Sequence, residues 1–176
     1  SAFTAPSAVN SRRDCMTIPF EESYHGLLRQ HLGNRRIILP AVRAVILDED
    51  GRILFVKRSD NGLWVMPAGG QELDESILDA LHREVREESG LEVEEAELIA
   101  IYSEPRFHFT NSYGGEHQML SFVFLVTKWH GTLRQKTDET IAAKLFPLDA
   151  LPPNRPAHND ETLEDLKKFN GKVILK

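Results

Sequence analysis

GGQELDESILDALHREVREESGL, residues Gly69 to Leu91, places its glycines and acids at fixed gaps. Gly69 is followed by five residues and Glu75, then by seven residues and Arg83-Glu84-Val85, one residue, Glu87-Glu88, one residue, and Gly90-Leu91. Just upstream, Pro67-Ala68-Gly69-Gly70 interrupts a strand-like pattern, and its glycines permit a tight loop that exposes its own amides and carbonyls. A helix is predicted next. Asp74 or Ser76 can cap its first amides, Glu75 sits where the helix dipole favours an anion, and Gly90 is placed to stop it.

At about 100° per residue, Ile77, Leu78, Leu81 and Val85 fall on one arc suited to packing against a sheet. Glu84, Glu87 and Glu88 fall on the adjoining arc, with Glu88 partly inside the apolar one, while Asp79, His82 and Arg86 point to solvent. Like charges at this spacing cost roughly 0.2–0.5 kcal/mol per pair, so the acidic edge calls for a cation. A hard divalent ion fits, because Mg²⁺ takes oxygen ligands and is held by a few carboxylates together with substrate phosphates. No Cys-His spacing offers a structural zinc site. Mg²⁺ or Mn²⁺ on two or three of these glutamates would neutralise a pyrophosphate and lower the pKa of a water. Arg83, one turn before Glu87, is placed to pair with a carboxylate and fix its rotamer. A solvated charged face is the usual reading of an acidic run with free spacing, but here the glycine loop, Glu75 and the glutamate triplet occur together.

The spacing G-x5-E-x7-R-E-U-x-E-E-x-G-U, with U a bulky aliphatic, resembles the signature of the Nudix hydrolases, and the likeness extends over residues 36 to 170. Strands before the segment, a helix within it, strands after it and a terminal helix predict an α/β fold, two helices sandwiching a mixed β-sheet. The resemblance implies the same Nudix-type α/β/α sandwich. It further implies hydrolysis of a pyrophosphate bond in a nucleoside diphosphate linked to another moiety, of the ADP-ribose or nucleotide-sugar type. Glu84 and Glu88 would hold the metal, with Glu87 and the Ala68 carbonyl completing the shell, and Gly69, Glu75, Arg83 and Gly90 ordering it. Glu139, in Lys136-Thr137-Asp138-Glu139-Thr140, resembles the acid before the last strand of many members and would be a further ligand or general base, or else a solvent-facing turn acid. Other members of such a family are nucleoside triphosphate pyrophosphatases, RNA 5′-end pyrophosphohydrolases or nucleotide sensors that do not cleave, and the resemblance leaves these open. Ala68 and Asp74 replace glycines common in or beside the signature, which removes no carboxylate. Pro105 lies near the offset of a proline that accompanies ADP-ribose hydrolysis in some subfamilies.

The 176 residues carry 21 basic and 27 acidic side chains, a formal charge of −6. That balance argues against an extended nucleic-acid footprint and allows a small phosphorylated ligand. Cys15 stands alone and fits a reducing compartment. No apolar run approaches the roughly 18 residues of a membrane span, so a cytoplasmic protein is expected.

Residues 1–15 read as a flexible segment and residues 16–35 as a helical extension, with Phe20, Tyr24, Leu27, Leu28, His31 and Leu32 at helical spacing for packing or for a homodimer contact. The Nudix domain is expected over 36–176. Ile37–Leu47, Asp48-Glu49-Asp50-Gly51 and Arg52–Arg58 predict a hairpin. Arg43, Lys57 and Arg58 on it are candidate phosphate donors near the glycine loop, or else edge charges. Trp64, which resembles a tryptophan preceding the family signature, is expected in the core. Strands are predicted over Leu91–Ser103 and Met119–Trp129, and between them Glu104–Gln118 reads as a polar loop with Phe107, Phe109 and Tyr113. Those aromatics suit a nucleobase, Arg106 or His108 a phosphate, and Glu116 or His117 a place near the metal, unless the loop simply folds over the core edge. Ile141–Leu148 is the last predicted strand, and Asn159–Phe169 a helix through Leu163, Leu166 and Phe169, stopped by Gly171.

Overall fold

The structure is a computed structural model, and residues 18–111 and 114–176 of it are described. The flexible segment expected over 1–15, Cys15 and Tyr113 lie outside those residues. In chain order the elements are α1 (Tyr24–Leu32), β1 (Ile37–Ile46), β2 (Ile53–Arg58), β3 (Trp64–Val65), β4 (Ala68–Gly70), α2 (Ile77–Ser89), β5 (Leu91–Tyr102), β6 (His108–Thr110), β7 (Glu116–Gly131), β8 (Thr140–Phe146), α3 (Ala157–Lys168) and β9 (Ile174–Leu175).

The aliphatic run of β1 becomes an interior strand. It pairs in parallel with β7 from Ile37↔His117 to Ile46↔Val126, and antiparallel with β4 on its other side. The mixed sheet runs β4-β1-β7-β5-β9, with β6 also on β7, while β3-β2-β8 form a second, antiparallel sheet. Both faces of β1 are covered, as a near-continuous apolar strand requires. Val42, Ala44 and Ile46 pack with Leu81 and Val85 of α2. Val45 packs on the opposite side with Ile99, Phe107 and Leu163 of α3. The α/β/α sandwich with a mixed sheet is therefore present, with a small second sheet added to it. Among the described residues no helix is long and apolar enough to cross a membrane.

Several local expectations change. The Asp48–Gly51 turn forms, with the Asp48 carboxylate accepting the amides of Asp50 and Arg52. Yet β1 and β2 meet only at the bridge Leu47↔Ile53 and then part into different sheets, so they make no long hairpin. The Glu104–Gln118 loop contains a strand, because His108–Thr110 fold back onto Glu116–Gln118. Phe107 of that loop is buried. Trp64 is partly buried and packs edge-on against Phe146 at 5.1 Å. Helix α1 begins later than its pattern, at the Ser23 cap, and Leu27 and Leu32 stay exposed. Polar bonds fasten it instead: the Tyr24 amide donates to Glu72, and Arg29 donates to the Glu116 carbonyl at 2.7 Å. On α3, Asn159, Thr162 and Asp165 are buried alongside Leu163, a polar seam that the apolar spacing did not reveal.

Candidate active site

Ser76, rather than Asp74, caps α2, and it exchanges hydrogen bonds with Asp79 in a capping box. That start fixes which residues face the sheet. Leu78, expected on the buried arc, is 51% exposed, whereas Glu84 and Glu88 are 7% and 1% exposed. At about 100° per residue Glu88 lies between Ile77 and Leu81 and Glu84 between Ala80 and Ile77, so both acids are inside the buried arc rather than beside it. The helix thus drives carboxylates into the interior against β4. Glu88 Oε2 accepts the Ala68 N–H at 2.9 Å, so the amide of Ala68 orients this carboxylate. Gly69 leaves room for the other, since a Cβ there would lie 2.0 Å from Glu84 Oε1.

Glu139, just before β8, completes the group. One oxygen each from Glu84, Glu88 and Glu139 lies within 4.8 Å of the others. The start of β8 is tied to the helix by Thr140 Oγ1, which donates to the Glu88 carbonyl at 3.2 Å. Glu87 is outside this trio and meets Arg83 Nη1 at 3.2 Å. Arg83 also donates to Glu75 at 2.6 and 3.0 Å, to Glu84 at 2.7 Å and to the Gly70 carbonyl at 2.8 Å. It is the joint between the glycine loop and the acids, while Gly90 ends the helix in the left-handed conformation at φ 75°.

Burial pushes the Glu84 carboxyl up to about 7 against the pull of Arg83. Glu88 is raised by burial and by the charge of Glu84, and the Ala68 amide and Arg58 only partly offset this. Burial raises Glu87 as well, against Arg83. Burial would also raise Glu75, but the Arg83 bonds and the Glu72 amide hold it below its ordinary value. Such an all-oxygen, crowded and desolvated set is relieved by a cation, and its chemistry fits a hard divalent ion.

Glu84, Glu87 and Glu139 line a cavity of about 200 Å³ together with Arg83, Phe20, His25 and Leu39. The part played by Phe20 and His25 has no local sequence signal, because the extension reaches the site only through tertiary contact. Glu116 and His117, expected near the metal, are not in the acid trio. Glu116 pairs with Arg36 at 3.2 Å. His117 Nε2 lies 2.7 Å from His25 Nε2 and 2.8 Å from Arg29 Nη2.

The remaining basic candidates divide. Arg58 pairs with Asp60 at 2.9 Å, and its charge acts on Glu88 and Glu139. Arg43, Arg106, Phe107 and His108 line a second cavity, of about 330 Å³, together with residues of β7 and α3. Arg43 is neither an edge charge nor turned to the glycine loop: β1 lies between β4 and β7, and its guanidinium donates to Thr162 Oγ1 of α3 at 2.9 Å. Burial pushes it down to about 10. Arg106 is held by Glu104 at 2.6 Å and by Glu161 at 2.8 Å.

A sequence profile of the NUDIX domain matches residues 38–166. A MutT-like protein of Streptomyces ambofaciens is 36% identical over 107 residues, 61% of this chain and 63% of that protein. The 8-oxo-dGDP phosphatase NUDT18 of Mus musculus is 31% identical over 131 residues, 71% of this chain but 37% of its own length. The chain thus spans less than two thirds of either relative. Among solved structures, an ADP-ribose pyrophosphatase from Streptococcus suis superposes with a TM-score of 0.56 at 27% identity, covering 78% of this chain and 98% of that one. A profile match over most of the chain, on the fold of solved members and with every acid of the signature in place, shows that this chain belongs to the NUDIX domain family.

Proposed function

We propose that this protein hydrolyses a pyrophosphate bond in a nucleoside diphosphate linked to another moiety, of the ADP-ribose or nucleotide-sugar type, with Mg²⁺ or Mn²⁺ as cofactor. The reading is carried by three carboxylate oxygens, from Glu84, Glu88 and Glu139, lying within 4.8 Å of one another. These residues would hold the ion, with Glu87 and the backbone of Ala68 in support. When bound, a divalent ion neutralises diphosphate charge and acidifies a water. The chain's own part is to keep the acids converged. Arg83 and Glu75 fix Glu84 and Glu87, the Ala68 amide fixes Glu88, and Gly69 leaves the space that the Glu84 carboxylate occupies.

The second cavity supports a substrate longer than a bare phosphate chain. Leu39 lines the acid-bearing cavity and Arg43 lines the other. They project from one face of β1, four residues apart, about 13 Å at the usual strand rise. A diphosphate with a group on each end fits that span, and Arg43, Arg106, Phe107 and His108 would meet the distal group while Arg58 stays beside the acids. Two of the relatives named above act, by their names, on 8-oxo-dGDP, a nucleoside diphosphate, and on ADP-ribose, a nucleoside diphosphate linked to a further ribose.

The test is a panel of ADP-ribose, nucleotide sugars, dinucleoside polyphosphates and nucleoside triphosphates, each with Mg²⁺, with Mn²⁺ and with chelator, and products resolved by anion exchange. Metal-dependent release of a nucleoside monophosphate from a diphosphate-linked substrate is expected. Preferential release of pyrophosphate from triphosphates would move the protein to a different substrate class. No turnover of any compound would reject hydrolysis.

A further inference from the structure

A guanidinium has five N–H donors and no acceptor of its own, so in the interior it requires acceptors. Arg43 has few. It is 6% exposed, and its side-chain hydrogen bond runs to Thr162 Oγ1 at 2.9 Å. Among the described residues it has no carboxylate ion-pair partner. The acid on the same cavity, Glu161, is taken up by Arg106 at 2.8 and 2.9 Å and by Lys176 at 2.8 Å. Arg43 itself lines the 330 Å³ cavity.

The rest of that cavity carries apolar surface beside its polar groups. Its wall includes Phe109 and Met119. Phe107 cannot stack on a ligand, since its ring is covered by Tyr102 at 4.8 Å and by the Arg106 guanidinium at 4.1 Å. Phe109 rests on His117 at 4.6 Å and remains 44% exposed, which leaves an aromatic surface open to the cavity. A cavity with an aromatic surface and a buried guanidinium on its wall suits a planar ring with two adjacent acceptors on one edge.

We propose that this cavity is a base pocket selecting 6-oxopurines, in which Arg43 donates to the neighbouring O6 and N7 acceptors of guanine or hypoxanthine. Adenine presents N7 beside an amino donor, which would face the donors of Arg43, and pyrimidines lack the paired acceptors. Base selection rests on the cavity alone; only the further statement that the selected nucleotide is also cleaved rests on the function proposed above.

The test titrates the full chain, without metal, with inosine, guanosine, adenosine and 7-deazaguanosine, followed by two-dimensional NMR. Inosine and guanosine should bind about tenfold or more tighter than adenosine, the discrimination that one bidentate pair provides. 7-Deazaguanosine, which stacks but lacks the N7 acceptor, should fall to the level of adenosine. Arg43→Met should erase the preference, and if that variant does not fold, the nucleoside series on the parent chain still decides. Equal titrations of inosine and adenosine, including no binding of either, overturn the proposal, as does displacement of inosine by inorganic phosphate at equal concentration. A base preference in a protein that hydrolyses no diphosphate would reject the catalytic reading and keep this one; hydrolysis blind to the base would do the reverse.

Discussion

Arg83 and Glu75 meet in a two-bond fork, Nε to Oε1 at 2.6 Å and Nη2 to Oε2 at 3.0 Å, while Nη1 of the same guanidinium reaches Glu84 at 2.7 Å. One planar group thus sets the position of an acid at the head of the site by anchoring it to another beside the glycine loop. Lysine keeps the charge but has no fork. Arg83→Lys should therefore retain the far-UV circular dichroism of the parent and lose about ten- to hundredfold in turnover, since small misplacements of catalytic groups cost that much. Turnover within about a factor of two of the parent would show that the fork is dispensable.

Glu88 is 1% exposed, and burial together with Glu84 disfavours its charge. Glutamine keeps its shape and can still accept the Ala68 amide. Without divalent ions, Glu88→Gln should be at least as stable as the parent, because it removes a buried charge that lacks a full counter-charge. With saturating Mg²⁺ the parent should gain in melting temperature by ligand linkage and the variant should not. Turnover should fall by roughly two orders of magnitude. Thermal melts with and without Mg²⁺, beside steady-state kinetics, check both parts, and full turnover by the variant would reject Glu88 as a ligand.

Gly69 lacks a positive φ and is needed for space. A Cβ at this position would lie 2.0 Å from the Glu84 carboxyl carbon and from Oε1. The obstacle is the end of a side chain, so the backbone can stay while Glu84 swings away. Gly69→Ala should cost less than about 1 kcal/mol in urea denaturation, within the ordinary range for a single substitution, yet lose about a hundredfold in turnover. A parallel loss of stability and activity would mean that the loop itself had moved.

The acid trio shows what periodicity can and cannot convey. The Glu84 and Glu88 spacing places both acids on one helix face, and the signature likeness brought in Glu139, which is distant in sequence but lies with them here. Periodicity placed Leu81, Val85 and in part Glu88 on the buried arc but not its limits: Leu78 stays exposed and Glu84 is buried because packing against β4 and β1, rather than hydropathy, sets the rotation of α2. Arg43 is a similar case. Its strand was legible, but the pairing of β1 with both β4 and β7 depends on partners distant in sequence. The same limit hid His25, whose place on the site follows from where α1 docks.

His117 is buried among His25, Arg29 and Phe109. Burial first, then the charges of His25 and Arg29, push it down to about 4 from an ordinary 6.5. In the unfolded chain it takes up a proton near the ordinary value, whereas in the folded protein it stays neutral until near the lower one. Between those values the unfolded state binds more protons, so stability falls as pH drops through that window and is unaffected above it. Urea midpoints should therefore decline from pH 7.5 toward pH 5 more steeply in the parent than in His117→Gln, and the difference isolates this residue from the carboxylates that titrate nearby. Identical slopes would show that the folded protein protonates this imidazole as readily as the unfolded chain does.

Asp165 of α3 is 1% exposed, accepts the Tyr102 hydroxyl at 2.8 Å, and is balanced by Lys176 at 2.7 Å. Tyr102 in turn supports Phe107 on the wall of the larger cavity. Lys176→Ala strands the carboxylate without its cation. Because the lysine is 24% exposed, water recovers part of the loss, and the expected cost is about 1–3 kcal/mol rather than the full penalty of an orphaned buried charge. If the stranded charge is the cause, neutralising it should help: Lys176→Ala combined with Asp165→Asn should be less destabilised than the sum of the single variants, by about 1 kcal/mol or more in a double-mutant cycle. If the cost instead comes from the backbone contact of Lys176 with Ile101, whose carbonyl accepts the Lys176 amide at 3.0 Å, the single variant should be near neutral, because alanine keeps that amide.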